Sequence, residues 1–162
     1  YIVGVEKEYR LSKVAKVSSF MYGNEIDIIF DDALKLDTTN QKFDCLVSNP
    51  PYSVKGFLQT LNEKDINAYE LSKTIDIKSY PTNNSIECFF IERAKHILND
   101  NGIGAIIVPI SILDKTNSKL FIKTREIILK YFNLKAIVKL PTKTFGKTGT
   151  TTIILYLEKR AL

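Results

Sequence analysis

Short apolar runs that favour β-strands alternate along this chain with amphipathic patterns that favour helices. The runs typical of strands cover 1–5, 26–30, 43–48, 103–108, 134–139 and 151–158, and the helical patterns cover 8–22, 86–98 and 119–131. Alternation of this kind predicts parallel βαβ units and an α/β sheet. The run at 103–108 is almost wholly apolar, which is typical of a strand covered on both faces.

The length and composition fit one soluble globular domain. The chain has 162 residues, of which 44% are hydrophobic and 25% are charged. No apolar run is long enough to cross a bilayer, and no signal peptide is recognisable, so we expect a cytoplasmic protein with no membrane partner.

Metal chemistry has few candidate ligands in this sequence. The chain contains two cysteines, Cys45 and Cys88, and one histidine, His96. A structural zinc site usually needs four such ligands, so we expect no metal site. Both cysteines have apolar neighbours and are predicted to be reduced, buried thiols. His96 lies in an amphipathic helical pattern and is predicted to occupy the helix surface.

The charge balance is basic. There are 23 Lys and Arg residues against 18 Asp and Glu residues, which gives a net charge of +5. A loose basic cluster comprises Lys135, Lys139, Lys143 and Lys147. Such a balance is compatible with nucleic-acid binding, and Lys143 and Lys147 are candidates for contacts with phosphate. An ordinary solvated basic surface explains the same pattern equally well.

The most distinctive polar segment is Asn49-Pro50-Pro51-Tyr52, which directly follows a predicted strand. In parallel sheets, ligands bind beyond the carboxyl ends of the strands. Two adjacent prolines form a stiff corner, because both lack an N–H and have a fixed φ. The side-chain oxygen of Asn49 and the carbonyl of Pro50 could accept both hydrogens of a planar exocyclic amine and so free its lone pair for attack. Tyr52 could stack on the ring that carries this amine. The alternative is a Pro-Pro turn without chemistry.

Residues 44–52 resemble the catalytic motif of S-adenosylmethionine-dependent amino methyltransferases, especially the N6-adenine DNA methylases. The resemblance implies catalytic roles for Asn49, Pro50, Pro51 and Tyr52, with Asn49 also near the cofactor. Residues 3–6 resemble the end of the family's second strand, where an acidic residue holds the ribose hydroxyls of S-adenosylmethionine.

The resemblance therefore assigns that ribose contact to Glu6. Residues 29–34 resemble the Gly-Asp-Ala-Leu segment that follows the third strand, with Asp31 where glycine is common. The resemblance of this segment implies that Asp32 bonds the adenine amino group of the cofactor and that Ala33 lies beside that group.

The later segments 102–109, 134–141 and, above all, 145–155 resemble the modification subunits of type I restriction-modification systems and related fused enzymes. This implies site-specific adenine-N6 methylation of DNA with S-adenosylmethionine as cofactor. The implied partners are DNA and the specificity and restriction subunits or domains. Two alternative functions stay open. One is a protein-glutamine or RNA amino methyltransferase, since protein-glutamine methyltransferases also use Asn-Pro-Pro-Tyr. The other is a non-catalytic binding module with a methylase fold.

The glycine-rich cofactor loop of the family, which follows its first strand, has no counterpart in this sequence. We therefore expect an incomplete Rossmann-like methyltransferase sheet over 1–162, with 53–85 as a long loop or insertion. The strands at Tyr1 and Phe43 would lack their shared neighbour and expose unpaired backbone groups. A piece of a longer chain, a partly ordered structure, and a sheet in which these two strands pair directly are the alternatives. On its own, the fragment is expected to be inactive. Segment 53–85 could close over a base, meet a partner, or form a plain surface insertion.

Overall fold

The computed structural model describes residues 1–23, 25–39, 41–142, 144–145 and 149–161. The strands are β1 (Ile2–Glu6), β2 (Ile26–Phe30), β3 (Phe43–Ser48), β4 (Leu98–Pro109), β5 (Phe132–Lys139) and β6 (Thr152–Lys159). The helices are α1 (Tyr9–Met21), α2 (Glu63–Ala68), α3 (Ile86–Ile97), α4 (Ser111–Asp114) and α5 (Lys119–Tyr131). The α/β class predicted from the alternation is confirmed.

Two compact units make up the chain, and the first is Tyr1–Asn40. Strands β1 and β2 are parallel, with Glu6 opposite Phe30, and α1 connects them. The carboxylate of Glu8 caps α1 by accepting a hydrogen bond from the N–H of Leu11 at 2.7 Å, which satisfies one of the open N–H groups of the first turn.

The helix predicted at 8–22 is present, but its apolar residues do not form a buried face. Ser12 and Ser19 are buried, whereas Val14, Val17 and Phe20 are exposed.

The second unit, Gln41–Leu162, contains a four-stranded sheet in the order β3-β4-β6-β5. Strand β3 is parallel to β4, and β6 is antiparallel to both β4 and β5. Residues 99–102, Asn-Asp-Asn-Gly, have the composition of a turn, but they fall inside β4. There Asn101 has a φ of 64°, and the register against β3 shifts between Phe43 and Cys45. This irregularity absorbs the residues that the sequence marked as a turn.

Strands β1 and β3, which were predicted to lack a shared neighbour, belong to different sheets. Strand β1 pairs with β2, and β3 pairs with β4. On β3, Val47 is 82% exposed. Cys45 on the same strand is also exposed, so its predicted burial is wrong, whereas Cys88 on α3 is buried as predicted.

Segment 53–85 contributes to the core of the second unit. It contains α2 and 3₁₀ turns at Phe57–Thr60, Leu71–Thr74 and Ile77–Ser79. Leu58, Tyr69 and Leu71 from this segment are fully buried. Burial of these apolar side chains therefore fixes segment 53–85 in place, although most of its residues are polar.

A buried carboxylate on α3 also fixes this segment. Glu92 has no exposed surface, and it accepts hydrogen bonds from the N–H groups of Glu70 at 2.7 Å and Leu71 at 3.0 Å. Lys95 lies 3.1 Å from the carboxylates of both Glu92 and Glu70. The hydroxyl of Tyr131 on α5 donates to Glu70 at 2.6 Å. Burial alone would raise the pKa of Glu70, but the hydrogen bonds from Tyr131 and Lys95 lower it to about 2.

The sequence predicted that His96 lies on the helix surface, but the side chain is not freely exposed there. Its ring is half-buried against Tyr69, with the ring centroids 5.7 Å apart, and Nε2 is buried without a hydrogen-bond partner among the described residues. Over the described part of the chain, no helix combines the length and the apolar character that a membrane span requires.

Candidate active site

The segment Asn49–Tyr52 lies directly beyond the carboxyl end of β3. Ser48, the last residue of β3, is aligned with Ile106 of β4, and this pairing fixes where the segment begins. The Asn49 side chain is exposed, while Pro50 is buried. At the corner predicted from the two prolines, Pro50 is therefore packed inside the protein, while the adjacent Asn49 presents its carboxamide to solvent.

Tyr52 is tied to both Asn49 and the neighbouring strand. Its hydroxyl lies 3.0 Å from Oδ1 of Asn49 and 3.3 Å from the carbonyl oxygen of Ile107, and either oxygen can accept its hydrogen bond. Burial raises the pKa of Tyr52, and the negative charge of Glu87 raises it further, so the phenol remains a donor near neutral pH. An amide oxygen has two lone pairs, so Asn49 Oδ1 can accept one further hydrogen bond.

A second aromatic ring lies against Tyr52. The Phe145 ring is 6.3 Å from that of Tyr52, and the two planes are at 89°, an edge-to-face arrangement. The sequence marked Phe145 only as part of segment 145–155, and it gave no reason to place it beside Tyr52. Of the predicted phosphate contacts, Lys143 and Lys147 lie outside the described residues. Lys135 is paired with Glu158 at 2.8 Å.

The residue after the motif, Ser53, has a left-handed backbone with a φ of 55°. Its N–H donates to Oε2 of Glu87 at 3.2 Å. Glu87 lies in the first turn of α3 and is 4% exposed. Burial raises the pKa of Glu87, and its own N–H, the Ser53 N–H and Lys115 oppose this shift. Nothing in the sequence around Glu87 predicts this contact, which spans 34 positions.

The residues assigned to the cofactor nucleoside lie in the first unit, at the carboxyl edge of the β1–β2 pair. Glu6 ends β1, and its backbone carbonyl accepts a hydrogen bond from the N–H of Asp31 at 3.2 Å. Oε1 of Glu6 accepts from the N–H of Glu8 at 2.7 Å. The unit therefore brings Glu6 and the segment after β2 to one edge, where carboxylate oxygens could accept hydrogen bonds from hydroxyls.

Asp32 is 8% exposed, and each of its carboxylate oxygens has a partner at this edge. Oδ2 lies 2.6 Å from Nζ of Lys7, and Oδ1 accepts from the N–H of Leu34 at 3.0 Å. Ala33, between them, is half-buried. The sequence does not predict the contact of Lys7, because the resemblance assigns roles only to acidic and small residues here.

Asp31, which replaces the glycine common in the family, forms an ion pair with Lys35 at 2.7 Å. The hydrogen bond from Lys35 lowers the pKa of Asp31. Among the described residues, no group of three or more His, Cys, Asp or Glu side chains is placed to hold a metal ion.

The fold is that of the Rossmann-like S-adenosylmethionine-dependent methyltransferases. A solved protein of Listeria monocytogenes, assigned to the class I S-adenosylmethionine-dependent methyltransferases, superposes with a TM-score of 0.77 and 20% identity. That match covers 99% of this chain and 45% of the other. The type I restriction-modification methyltransferase subunit of Streptococcus thermophilus matches with a TM-score of 0.77 and 21% identity, over 98% of this chain and 34% of that subunit.

The chain belongs to the N-6 DNA methylase family, which matches residues 1–161. The type II methyltransferase M.CvrRI of Paramecium bursaria Chlorella virus XZ-6E is 27% identical over 161 residues. That match covers 98% of this chain and 36% of the viral protein. This chain thus spans about a third of the length of that curated relative. The resemblance read from the Asn-Pro-Pro-Tyr segment is confirmed.

Proposed function

We propose that the full-length protein transfers the methyl group of S-adenosylmethionine to N6 of adenine in DNA, as part of a restriction-modification system. The observation that carries this proposal is the position of Asn49–Tyr52. The segment follows the carboxyl end of β3, and it presents an exposed Asn49 carboxamide whose oxygen lies within hydrogen-bonding distance of the Tyr52 hydroxyl. Membership of the N-6 DNA methylase family supports adenine N6 as the acceptor.

The residues of this segment would act by binding and orienting the acceptor amine. An adenine inside a duplex is out of reach, so the base must first leave the stack. Asn49 Oδ1 and the Pro50 carbonyl would then accept the two amine hydrogens, which directs the lone pair of N6 away from the ring plane. Tyr52, with Phe145 at 6.3 Å, would offer an aromatic surface to the base. Catalysis of this kind depends on positioning and electrostatics.

Bound S-adenosylmethionine would supply an electrophilic methyl group attached to a sulfonium. Transfer of this methyl group to N6 would leave the bonding electron pair on sulfur and release one proton from N6 to solvent. Glu6 would hold ribose hydroxyls through its carboxylate. Asp32, with Ala33 beside it, would receive the adenine amino group of the cofactor, and the Lys7 ammonium lies 2.6 Å from the same carboxylate.

Two features support DNA and a restriction-modification complex as partners. The net charge of +5 favours a polyanion. Structures with the same fold include a type I restriction-modification methyltransferase subunit, and the viral relative is a type II methyltransferase. The proposed protein partners are therefore specificity and restriction subunits or domains.

The test is methyl transfer from labelled S-adenosylmethionine to DNA by the full-length protein, with the product nucleosides identified by mass spectrometry. We expect N6-methyladenine, and we expect Asn49→Ala to lower transfer by roughly 100-fold or more, because it removes one acceptor of the amine. Cofactor affinity, measured by calorimetry, should be largely spared in this variant, because Glu6 and Asp32 would hold the nucleoside of the cofactor. Asn117→Ala, an exposed asparagine elsewhere in the second unit, is the matched control. Label found on protein or RNA would favour those acceptors, and full activity of Asn49→Ala would contradict the proposal.

A further inference from the structure

The turn that follows the candidate catalytic segment contains a backbone conformation that a non-glycine residue rarely adopts. Ser53 has a φ of 55°, in the left-handed region. A serine stays in this region where its surroundings hold it there. The contact that holds Ser53 is therefore in a position to govern the shape of the turn.

Glu87 makes that contact from a distant point in the sequence. Its Oε2 accepts the hydrogen bond of the Ser53 N–H at 3.2 Å, although the two residues are 34 positions apart. Glu87 lies in the first turn of α3, and the next two residues, Cys88 and Phe89, have no exposed surface. The carboxylate oxygen that accepts this hydrogen bond thus belongs to a helix whose neighbouring side chains are packed in the core.

The catalytic segment is consequently held at both ends. At its start, Ser48 is aligned with Ile106 in the sheet. At its end, Ser53 is bonded to Glu87, and between the two the Tyr52 hydroxyl lies 3.3 Å from the carbonyl of Ile107. Four residues span these anchors, two of them prolines, so a displacement of Ser53 would move Tyr52 and, through it, the Asn49 carboxamide.

We propose that Glu87 is a positioning residue for methyl transfer, which sets the orientation of Tyr52 and Asn49 by holding the N–H of Ser53. This inference rests on the proposed function in one respect, namely that the segment Asn49–Tyr52 is catalytic. The hydrogen bond and its effect on the turn do not depend on the identity of the methyl acceptor.

The choice of residue supports a specific role. A buried carboxylate is costly unless hydrogen bonds or charges compensate it, and burial raises the pKa of Glu87 accordingly. If this position only filled the core, an apolar side chain would serve with no such cost. A carboxylate here has a purpose if an acceptor must be presented to Ser53.

The experiment uses the full-length protein and three variants: Glu87→Met, Glu87→Gln and Glu92→Met. Met removes the acceptor with little change in volume, while Gln keeps an oxygen that can accept the Ser53 N–H. Glu92 is the matched control, because it is also a buried glutamate of α3 that accepts backbone N–H groups, but from Glu70 and Leu71.

For Glu87→Met we expect kcat to fall roughly 10- to 100-fold, since small misplacements of catalytic groups have effects of this size. The KM for S-adenosylmethionine should stay within about twofold, and Glu87→Gln should recover most of kcat, because the bond to Ser53 is restored. Glu92→Met should lower stability without lowering kcat of the folded protein. An unchanged kcat in Glu87→Met, or an equal fall in Glu92→Met, would overturn the proposal.

A second variant and a second measurement cover the remaining outcomes. If Glu87→Met does not fold, Glu87→Asp tests the proposal, because it keeps the charge but withdraws the carboxylate oxygen from the N–H of Ser53. We expect a lower kcat for Glu87→Asp. An unchanged kcat would refute the positioning role of Glu87. Hydrogen exchange over 49–56 is read without activity and should quicken in the Glu87 variants but not in Glu92→Met. If the wild type methylates no acceptor, the proposed function fails, and the exchange result alone upholds or rejects the hold on Ser53.

Discussion

The hydroxyl of Tyr52 lies 3.0 Å from Oδ1 of Asn49, in position to donate a hydrogen bond to it. The residue expected to orient the acceptor amine and the residue expected to stack on its ring are thus placed to be coupled to each other. With this hydrogen bond made, the carboxamide has a preferred orientation before any base arrives, and its oxygen keeps a lone pair for the amine. Tyr52 therefore has two separable features, a ring and a hydroxyl.

The first prediction separates these features. Tyr52→Phe keeps the ring and removes the donor to Asn49, so we expect kcat for methyl transfer to fall by about three- to tenfold, in line with the net value of one hydrogen bond. Tyr52→Ala also removes the ring and should cost much more. Steady-state rates with DNA in excess measure both effects.

Tyr80→Phe is the control for this prediction, because Tyr80 is a half-buried tyrosine of the same unit outside the candidate site. Equal rates for Tyr52→Phe and the wild type would show that the Tyr52 hydroxyl does not orient Asn49.

The sequence predicted the elements of this fold well where local pattern decides. The bounds of β2, β3 and α5 match the predicted ranges, because each is a mostly apolar run or a clear amphipathic repeat. The motif Asn49–Tyr52 was found for the same reason, since its four residues are adjacent. Its placement beyond a strand follows from the neighbouring residues alone.

What the sequence could not predict depends on contacts between distant positions. The bond between Ser53 and Glu87 spans 34 residues, and nothing in the local pattern of either residue announces it. The same holds for the pair of Lys7 and Asp32. Segment 53–85 looked like a loop because its own composition is polar, yet the buried Glu92 and core side chains order it.

The second prediction concerns the stability contributed by Glu92. Replacing this fully buried carboxylate by Met leaves two backbone N–H groups without their acceptor, and Lys95 keeps Glu70 but loses Glu92 as a partner. Removing one partner of a buried pair typically costs about 3–5 kcal/mol, so we expect a loss of this order in the free energy of unfolding. Urea unfolding followed by circular dichroism gives the value.

An exposed ion pair serves as the comparison for Glu92. Glu126 pairs with Lys123 at 3.2 Å, but its side chain is 60% exposed. Glu126→Gln should therefore change stability by less than about 0.5 kcal/mol. If Glu92→Met has an effect as small as this, the buried network does not stabilise segment 53–85.

The third prediction is a loss of stability in mild acid caused by His96. Burial of the ring lowers the pKa of His96 to about 4, with the nearby positive charges acting in the same direction and Glu70 opposing them. Those positive charges belong to Lys95, Arg93 and Lys159. In the unfolded state His96 is protonated below about pH 6.5, whereas in the folded state it stays neutral until the pH approaches 4. The free energy of unfolding therefore decreases as the pH falls from about 6.5 to about 4.

The full effect between roughly pH 7.5 and pH 5 is at most about 2 kcal/mol, and it is smaller to the extent that water reaches the ring. Glu87 acts with the opposite sign, because its raised pKa makes the folded state bind a proton more readily as the pH falls. Comparing the wild type with His96→Phe isolates the histidine contribution. His96 is the single histidine of this sequence, so one ring resonance in a proton NMR titration of the chain reports its pKa directly. A midpoint near 6.5 would contradict the burial of the ring.

The fourth prediction is a large difference in reactivity between the two thiols. Burial raises the pKa of Cys88 to about 12, while Cys45 is exposed on β3. Because the thiolate is the reactive species, brief alkylation of the native 162-residue chain should modify Cys45 and leave Cys88 intact. Peptide mapping by mass spectrometry distinguishes the sites, and alkylation in concentrated urea, where both should react, is the control. Rapid native modification of Cys88 would mean that α3 opens readily, and the support that α3 gives to Glu87 would then be too weak to hold Ser53.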